Sequence, residues 1–134
     1  MEKYNKLISE ALCAREQAYA PYSSFKVGAS LLCDDGEIFT GCNIENSSYG
    51  ATICAERVAF SSAIANGKRK FNALTIVGGK DEINNFCYPC GICRQFILEF
   101  CVPDFKIILF DGTNLKISTL EELLPNAFDK HSLI

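Results

Sequence analysis

The chain has 134 residues, 49% of them hydrophobic and 22% charged, the composition of one folded domain (1–134) able to bury its own core. A net charge of −3 supplies no field to draw in nucleic acid or an anionic membrane. No stretch approaches the roughly 20 unbroken apolar residues that span a bilayer, and Met1-Glu2-Lys3-Tyr4-Asn5-Lys6 leads into mixed polarity rather than a signal core, so a cytoplasmic protein is expected.

In chain order, Tyr4, Leu7, Ile8, Ala11, Leu12 and Tyr19 share one helical face and predict a helix over 3–20, stopped by Pro21. Strands over 26–33 and 37–44 follow, joined by Asp34-Asp35-Gly36, whose residues tolerate the positive φ of a tight turn. After a polar loop at 45–51, a second helix is expected over 53–66, with Gly67 as its C-terminal cap. An apolar strand over 73–79, a helix over 91–101, strands over 106–110 and 115–117, and a last helix over 120–124 begun by Ser118 or Thr119 complete the order. Helices alternating with strands in this way predict an α/β fold, a three-layer α-β-α sandwich around a mixed five-stranded sheet.

The chemistry concentrates in Cys54-Ala55-Glu56-Arg57 and Pro89-Cys90-Gly91-Ile92-Cys93-Arg94-Gln95. Each segment opens a predicted helix, where free N–H groups and the helix dipole favour a thiolate, the form that binds metal. Cys90 and Cys93, three apart, face one side of a first helical turn, and Cys54 holds the matching place on the preceding helix. Three thiolates leave one zinc position open, as a catalytic site requires. Glu56 is too near Cys54 to co-ligate comfortably but is well placed to move protons at the open position. Arg57 and Arg94 stand near enough for one or both to donate to the sulfurs and draw charge off them.

The two segments together resemble the signature of the cytidine deaminases, with Cys54 where the commoner pattern carries His. The resemblance runs from the N-terminal helix through Pro21-Tyr22-Ser23-Ser24-Phe25 to about Phe128. It implies one zinc ion per subunit and hydrolytic deamination of cytidine or deoxycytidine in pyrimidine salvage. Zinc-activated water would attack C4 while Glu56 carries protons to N3 and to the departing ammonia. Asn43-Ile44-Glu45-Asn46 is similar to the family's ribose motif, so Asn43 and Glu45 are expected on the sugar 3′-hydroxyl, with Phe25 and Ala55 at the base. Ser47, Tyr49 and Phe128 match residues that reach a neighbouring subunit's site, which implies a homotetramer with shared active sites.

Other readings stay open on the residues alone. Cys87 lies three before Cys90 and would complete a sealed four-cysteine structural site or a zinc-stabilised interaction module. Cys90 and Cys93 alone have the spacing of a redox pair, which leaves Cys54 and Glu56 unexplained. A nucleoside antibiotic such as blasticidin S is an alternative substrate. A nucleic-acid editing role is disfavoured by the acidic balance. Cys13, Cys33, Cys42 and Cys101 are expected as small core residues.

Overall fold

Leu7, Ile8 and Ala11 turn one side of helix α1 (Asn5–Arg15) toward the sheet, and a computed structural model describes the chain over residues 2–133. The helix stops at Arg15, short of the expected 20, because the backbone of Tyr19 is drawn into a bridge with the segment after the hairpin. Its amide donates to Asn43 (3.0 Å), and its carbonyl accepts from Glu45 (2.8 Å).

Strand β1 (Lys26–Cys33) turns at Gly36, whose φ is +90°, into antiparallel β2 (Ile38–Cys42). Helix α2 (Ala55–Ala65) ends before Gly67, whose φ of +86° is the left-handed conformation that Gly adopts without strain. Strand β3 (Phe71–Gly79), helix α3 (Gly91–Phe100) and strand β4 (Lys106–Phe110) follow, then β5 (Leu115–Thr119) and the short helix α4 (Leu120–Leu123). Of the two capping candidates the structure uses Thr119, in a reciprocal capping box with Glu122.

The strand order is β2-β1-β3-β4-β5. Only β3 and β4 are parallel, since α3 crosses between them, and the sheet is mixed as expected. On one face Val27, Ala29, Leu31, Leu74, Ile76, Ile107 and Leu109 pack with Ala59, Phe60 and Ile97 from α2 and α3. On the other lies α1, where the Ser30 hydroxyl donates to the Leu7 carbonyl at 2.6 Å. This two-sided burial makes the inner strands read as near-continuous apolar runs. Phe60, fully buried, meets Phe71 edge-on at 5.1 Å, a packing worth about 3–5 kcal/mol relative to alanine.

Close approach of helix to sheet depends on two glycines. A β-carbon on Gly28 would lie 2.0 Å from the Ala11 carbonyl oxygen, and one on Gly41 would lie 2.4 Å from that of Ala55. The second contact seats the first turn of α2 directly on β2. No helix among the described residues is long and apolar enough to cross a membrane. Of the four cysteines expected in the core, Cys33 is buried and Cys42 and Cys101 are half-buried. Cys13 is exposed, because it falls outside the stripe that α1 turns inward.

Candidate active site

Cys54 and Cys90 are the residues immediately before α2 and α3, both in extended backbone (φ −74°, ψ 154° and φ −69°, ψ 169°), and neither side chain caps its own helix. Both sulfurs turn to a common point instead, joined there by Cys93 from the first turn of α3. The three Sγ atoms lie within 4.8 Å of one another, with Cys54 and Cys90 3.7 Å apart. Two thiolates each about 2.3 Å from a tetrahedral zinc would lie about 3.8 Å apart, so the spacing fits the metal. Cys93 is buried, Cys54 half-buried and Cys90 exposed, which places the cluster at the boundary between core and solvent.

The donor chemistry points the same way. A hydrogen bond from Cys93, helped by Arg57 and Cys90, holds the Cys54 thiol down at about 5 against the effect of burial. Cys93 is driven up by its bond to Cys54, by burial and by the charges of Glu56 and Cys54. The opposed shifts of Cys54 and Cys93 come from crowding of the sulfurs, and a cation among them would favour the thiolate form that binds metal.

Glu56, in the first turn of α2, is 4% exposed. Burial pushes its carboxyl up to about 7, with the Cys54 thiolate adding to the rise and Cys93 and Arg57 opposing it. Arg57 Nη2 donates to the Thr52 carbonyl (3.2 Å) and to Cys54 Sγ (3.8 Å), while its buried Nε has no partner. Of the two arginines expected near the sulfurs, Arg94 turns elsewhere. Its Nε donates to the Pro89 carbonyl (2.7 Å) and its Nη1 to that of Leu123 (2.6 Å), so it braces the backbone entering Cys90 and leaves the sulfurs to Arg57.

Cys87 does not complete a four-cysteine shell, because it lies outside the cluster. A β-carbon on Gly78 would stand 2.7 Å from its sulfur and 3.1 Å from the Phe25 ring, so both side chains close over that glycine. Burial pushes the Cys87 thiol up to about 12, and the charges of Glu56 and Cys54 add to the shift. All eight cysteines are free, and Cys90 and Cys93 share their cluster with Cys54, as the redox-pair reading does not require. Phe25 and Cys87 also line a cleft of about 580 Å³ walled by residues 78–82 and 84–87.

The ribose-motif residues are locally engaged. Buried Asn43 accepts from the Val27 amide (2.9 Å) and donates to the Phe25 carbonyl (2.8 Å), bracing the start of β1. Glu45 accepts from the amides of Tyr22 (2.9 Å) and Ser23 (3.1 Å) and from the Ser23 hydroxyl. The Ser23 hydroxyl is the main reason its carboxyl is held below the usual range. Ala55 is buried in the first turn of α2, and Ser47 is exposed. Tyr49 and Phe128 lie on the surface, 78% and 63% exposed, with Gln95 donating to the Phe128 carbonyl at 2.8 Å. Sequence reasoning missed Arg15, which is 7% exposed. Its place behind Leu7, Ile8 and Ala11 on the inward stripe of α1 is the signal that marks it.

The profile of the cytidine and deoxycytidylate deaminase zinc-binding region matches residues 1–109. The chain belongs to this deaminase family. It is 51% identical over 132 residues to a cytidine deaminase of Sporosarcina psychrophila, covering 96% of this chain and 93% of that one. The crystal structure of a cytidine deaminase from Burkholderia pseudomallei aligns with a TM-score of 0.87 at 45% identity, over 93% of this chain and 98% of that one. A blasticidin-S deaminase of Bacillus cereus is 33% identical over 110 residues, 78% of each chain. The zinc-binding region of this family and the Cys54, Cys90 and Cys93 cluster together fit one zinc ion per subunit.

Proposed function

We propose that this protein hydrolyses cytidine and deoxycytidine to uridine and deoxyuridine with release of ammonia, in pyrimidine salvage. The observation that carries the reading is a buried carboxyl, Glu56, beside three sulfurs that converge at the edge of the core. When bound by Cys54, Cys90 and Cys93, zinc supplies Lewis-acid activation of water near neutral pH. Glu56 takes a proton from the attacking water and delivers it to N3 of the pyrimidine as the water oxygen bonds to C4. It then takes the proton of the new C4 hydroxyl and passes it to the exocyclic amine as the C4–N4 bond breaks and the C4 carbonyl forms, so one water is consumed and one ammonia released. A carboxyl raised toward neutrality by burial suits both transfers. Phe25 and Ala55 line the base, and Asn43 and Glu45 take the ribose.

The higher identity to cytidine deaminases than to the blasticidin-S enzyme supports a plain nucleoside substrate. The exposed aromatic rings of Tyr49 and Phe128 support a homotetramer in which each reaches a neighbouring subunit's site. Three cysteines gathered at one point as metal ligands, rather than spread as a disulfide framework, support a cytoplasmic setting.

The test is ultraviolet absorbance of cytidine and deoxycytidine incubated with zinc-loaded protein. Loss of the cytosine band with uridine as product supports the reading. A folded, zinc-loaded protein that leaves both nucleosides unchanged sinks it, and blasticidin S is then assayed. Arg57→Ala is expected to lower turnover by about 10–100-fold while changing zinc content less, since its bond to Cys54 Sγ tunes the ligand rather than holding the metal. Equal losses of zinc and turnover, by metal analysis and initial rates, would contradict this.

A further inference from the structure

We infer that Arg15 is a positioning residue for nucleoside binding: from the opposite face of the sheet it fixes the backbone that carries Cys87 and Phe25, the ring proposed to line the base. The inference rests on the nucleoside reading for the identity of the ligand but not for the geometry.

Arg15 ends α1 with its side chain turned into the protein. Its Nη2 donates to three consecutive carbonyls, Gly79 (2.7 Å), Lys80 (3.3 Å) and Asp81 (3.1 Å), and its Nε donates to the Lys26 carbonyl (3.1 Å). Lys26 and Gly79 are register partners at one end of the β1–β3 ladder. One guanidinium thus ties the start of β1 to the end of β3 and to the chain turning away from it. Three carbonyl oxygens converging on one point repel each other unless a cation sits among them, and Arg supplies that charge permanently in a rigid planar fork. The close seat of α1 on the sheet brings the fork within reach: a β-carbon on Gly28 would meet Arg15 Cβ at 2.9 Å.

The consequence appears on the other face. Val27 pairs with Gly78 and packs toward α2, and Phe25, two residues earlier, lies on that side as well. There the Phe25 ring and Cys87 close over Gly78 and form one wall of the cleft. Every backbone tie made by Arg15 is to a residue adjacent to Phe25 or within residues 79–81, which begin the loop walling that cleft. Freed from Arg15, the wall keeps its residues but loses its position, and the loss falls on substrate binding before the sulfurs or Glu56.

The test compares zinc-loaded wild type, Arg15→Ala, Arg15→Lys and Leu7→Ala. Leu7 is a core residue of the same helix that makes no tie to 79–81, so it controls for general destabilisation. Arg15→Ala is expected to raise KM for cytidine by about tenfold or more, with kcat within about threefold and zinc stoichiometry unchanged. Hydrogen exchange should rise in peptides covering 79–87. Arg15→Lys keeps the charge but loses the fork, recovers part of the KM, and carries the test if the alanine variant does not fold. Leu7→Ala should leave KM unchanged. A KM unmoved by both Arg15 variants, or exchange in 79–87 no higher than in the Leu7 control, overturns the inference. A wild type inactive on cytidine overturns the nucleoside reading alone, because the exchange measurement still decides whether Arg15 holds the wall.

Discussion

Glu56→Gln lowers kcat for cytidine by about 10²–10⁴-fold, the range that a positioned general acid–base supplies, while zinc content stays at the wild-type value. The expectation follows from the placement of Glu56. It lies outside the sulfur cluster, so its loss removes no ligand, and its buried carboxyl is the group best placed to hand a proton between water and base. The amide is nearly isosteric and cannot carry the proton. It is also cheaper to bury than a carboxylate, because burial already works against the charged form of Glu56. The variant should therefore melt no lower than the wild type, separating lost chemistry from lost fold. Initial rates, metal analysis and thermal melts check the three parts. A variant that keeps zinc and more than about a tenth of wild-type turnover would remove Glu56 from the proton path.

Removing a sulfur acts on the metal instead. Cys90→Ala is the cleanest choice, since Cys90 is exposed and leaves no hole in the core, unlike Cys93. If a zinc-binding free energy of about 10–16 kcal/mol is shared among the ligands, one of them accounts for about 3 kcal/mol or more, at least roughly a hundredfold in affinity. Cys90→Ala should lose its zinc on dialysis against a weak chelator, lose turnover with it, and keep its far-ultraviolet circular dichroism. Cys87→Ala should keep one zinc per subunit, because Cys87 stands outside the cluster and against Gly78. Zinc lost from the Cys87 variant as readily as from the Cys90 variant would restore the sealed four-cysteine shell. Zinc retained by the Cys90 variant would take that sulfur out of the ligand set.

Other features divide according to how local their physics is. The strands at 26–33 and 106–110 were readable because apolar runs bounded by turn residues define them. The hairpin between β1 and β2 was readable because Gly36 takes the positive φ. The end of α1 was not, because the bonds of Tyr19 to Asn43 and Glu45 cross to another segment and compete with helix continuation. Arg94 stands one residue from Cys93, and proximity in sequence pointed it at the sulfurs. The carbonyls of Pro89 and Leu123, one of them from beyond β5, took its donors.

By itself, then, the sequence determined the alternation of helix and strand and the candidate set of Cys54, Glu56, Cys90 and Cys93. Each of these is written in short spacings and in residue types with few other uses together. Only the tertiary structure decided that Cys87 walls a cleft instead of closing a metal shell, that Arg57 rather than Arg94 serves the sulfurs, and that Arg15 is buried against the end of β3, 64 positions away. The physical reason is that a long side chain's hydrogen-bond partners are chosen by what packing brings within about 3 Å of its tip, and neighbours in space need not be neighbours in the chain.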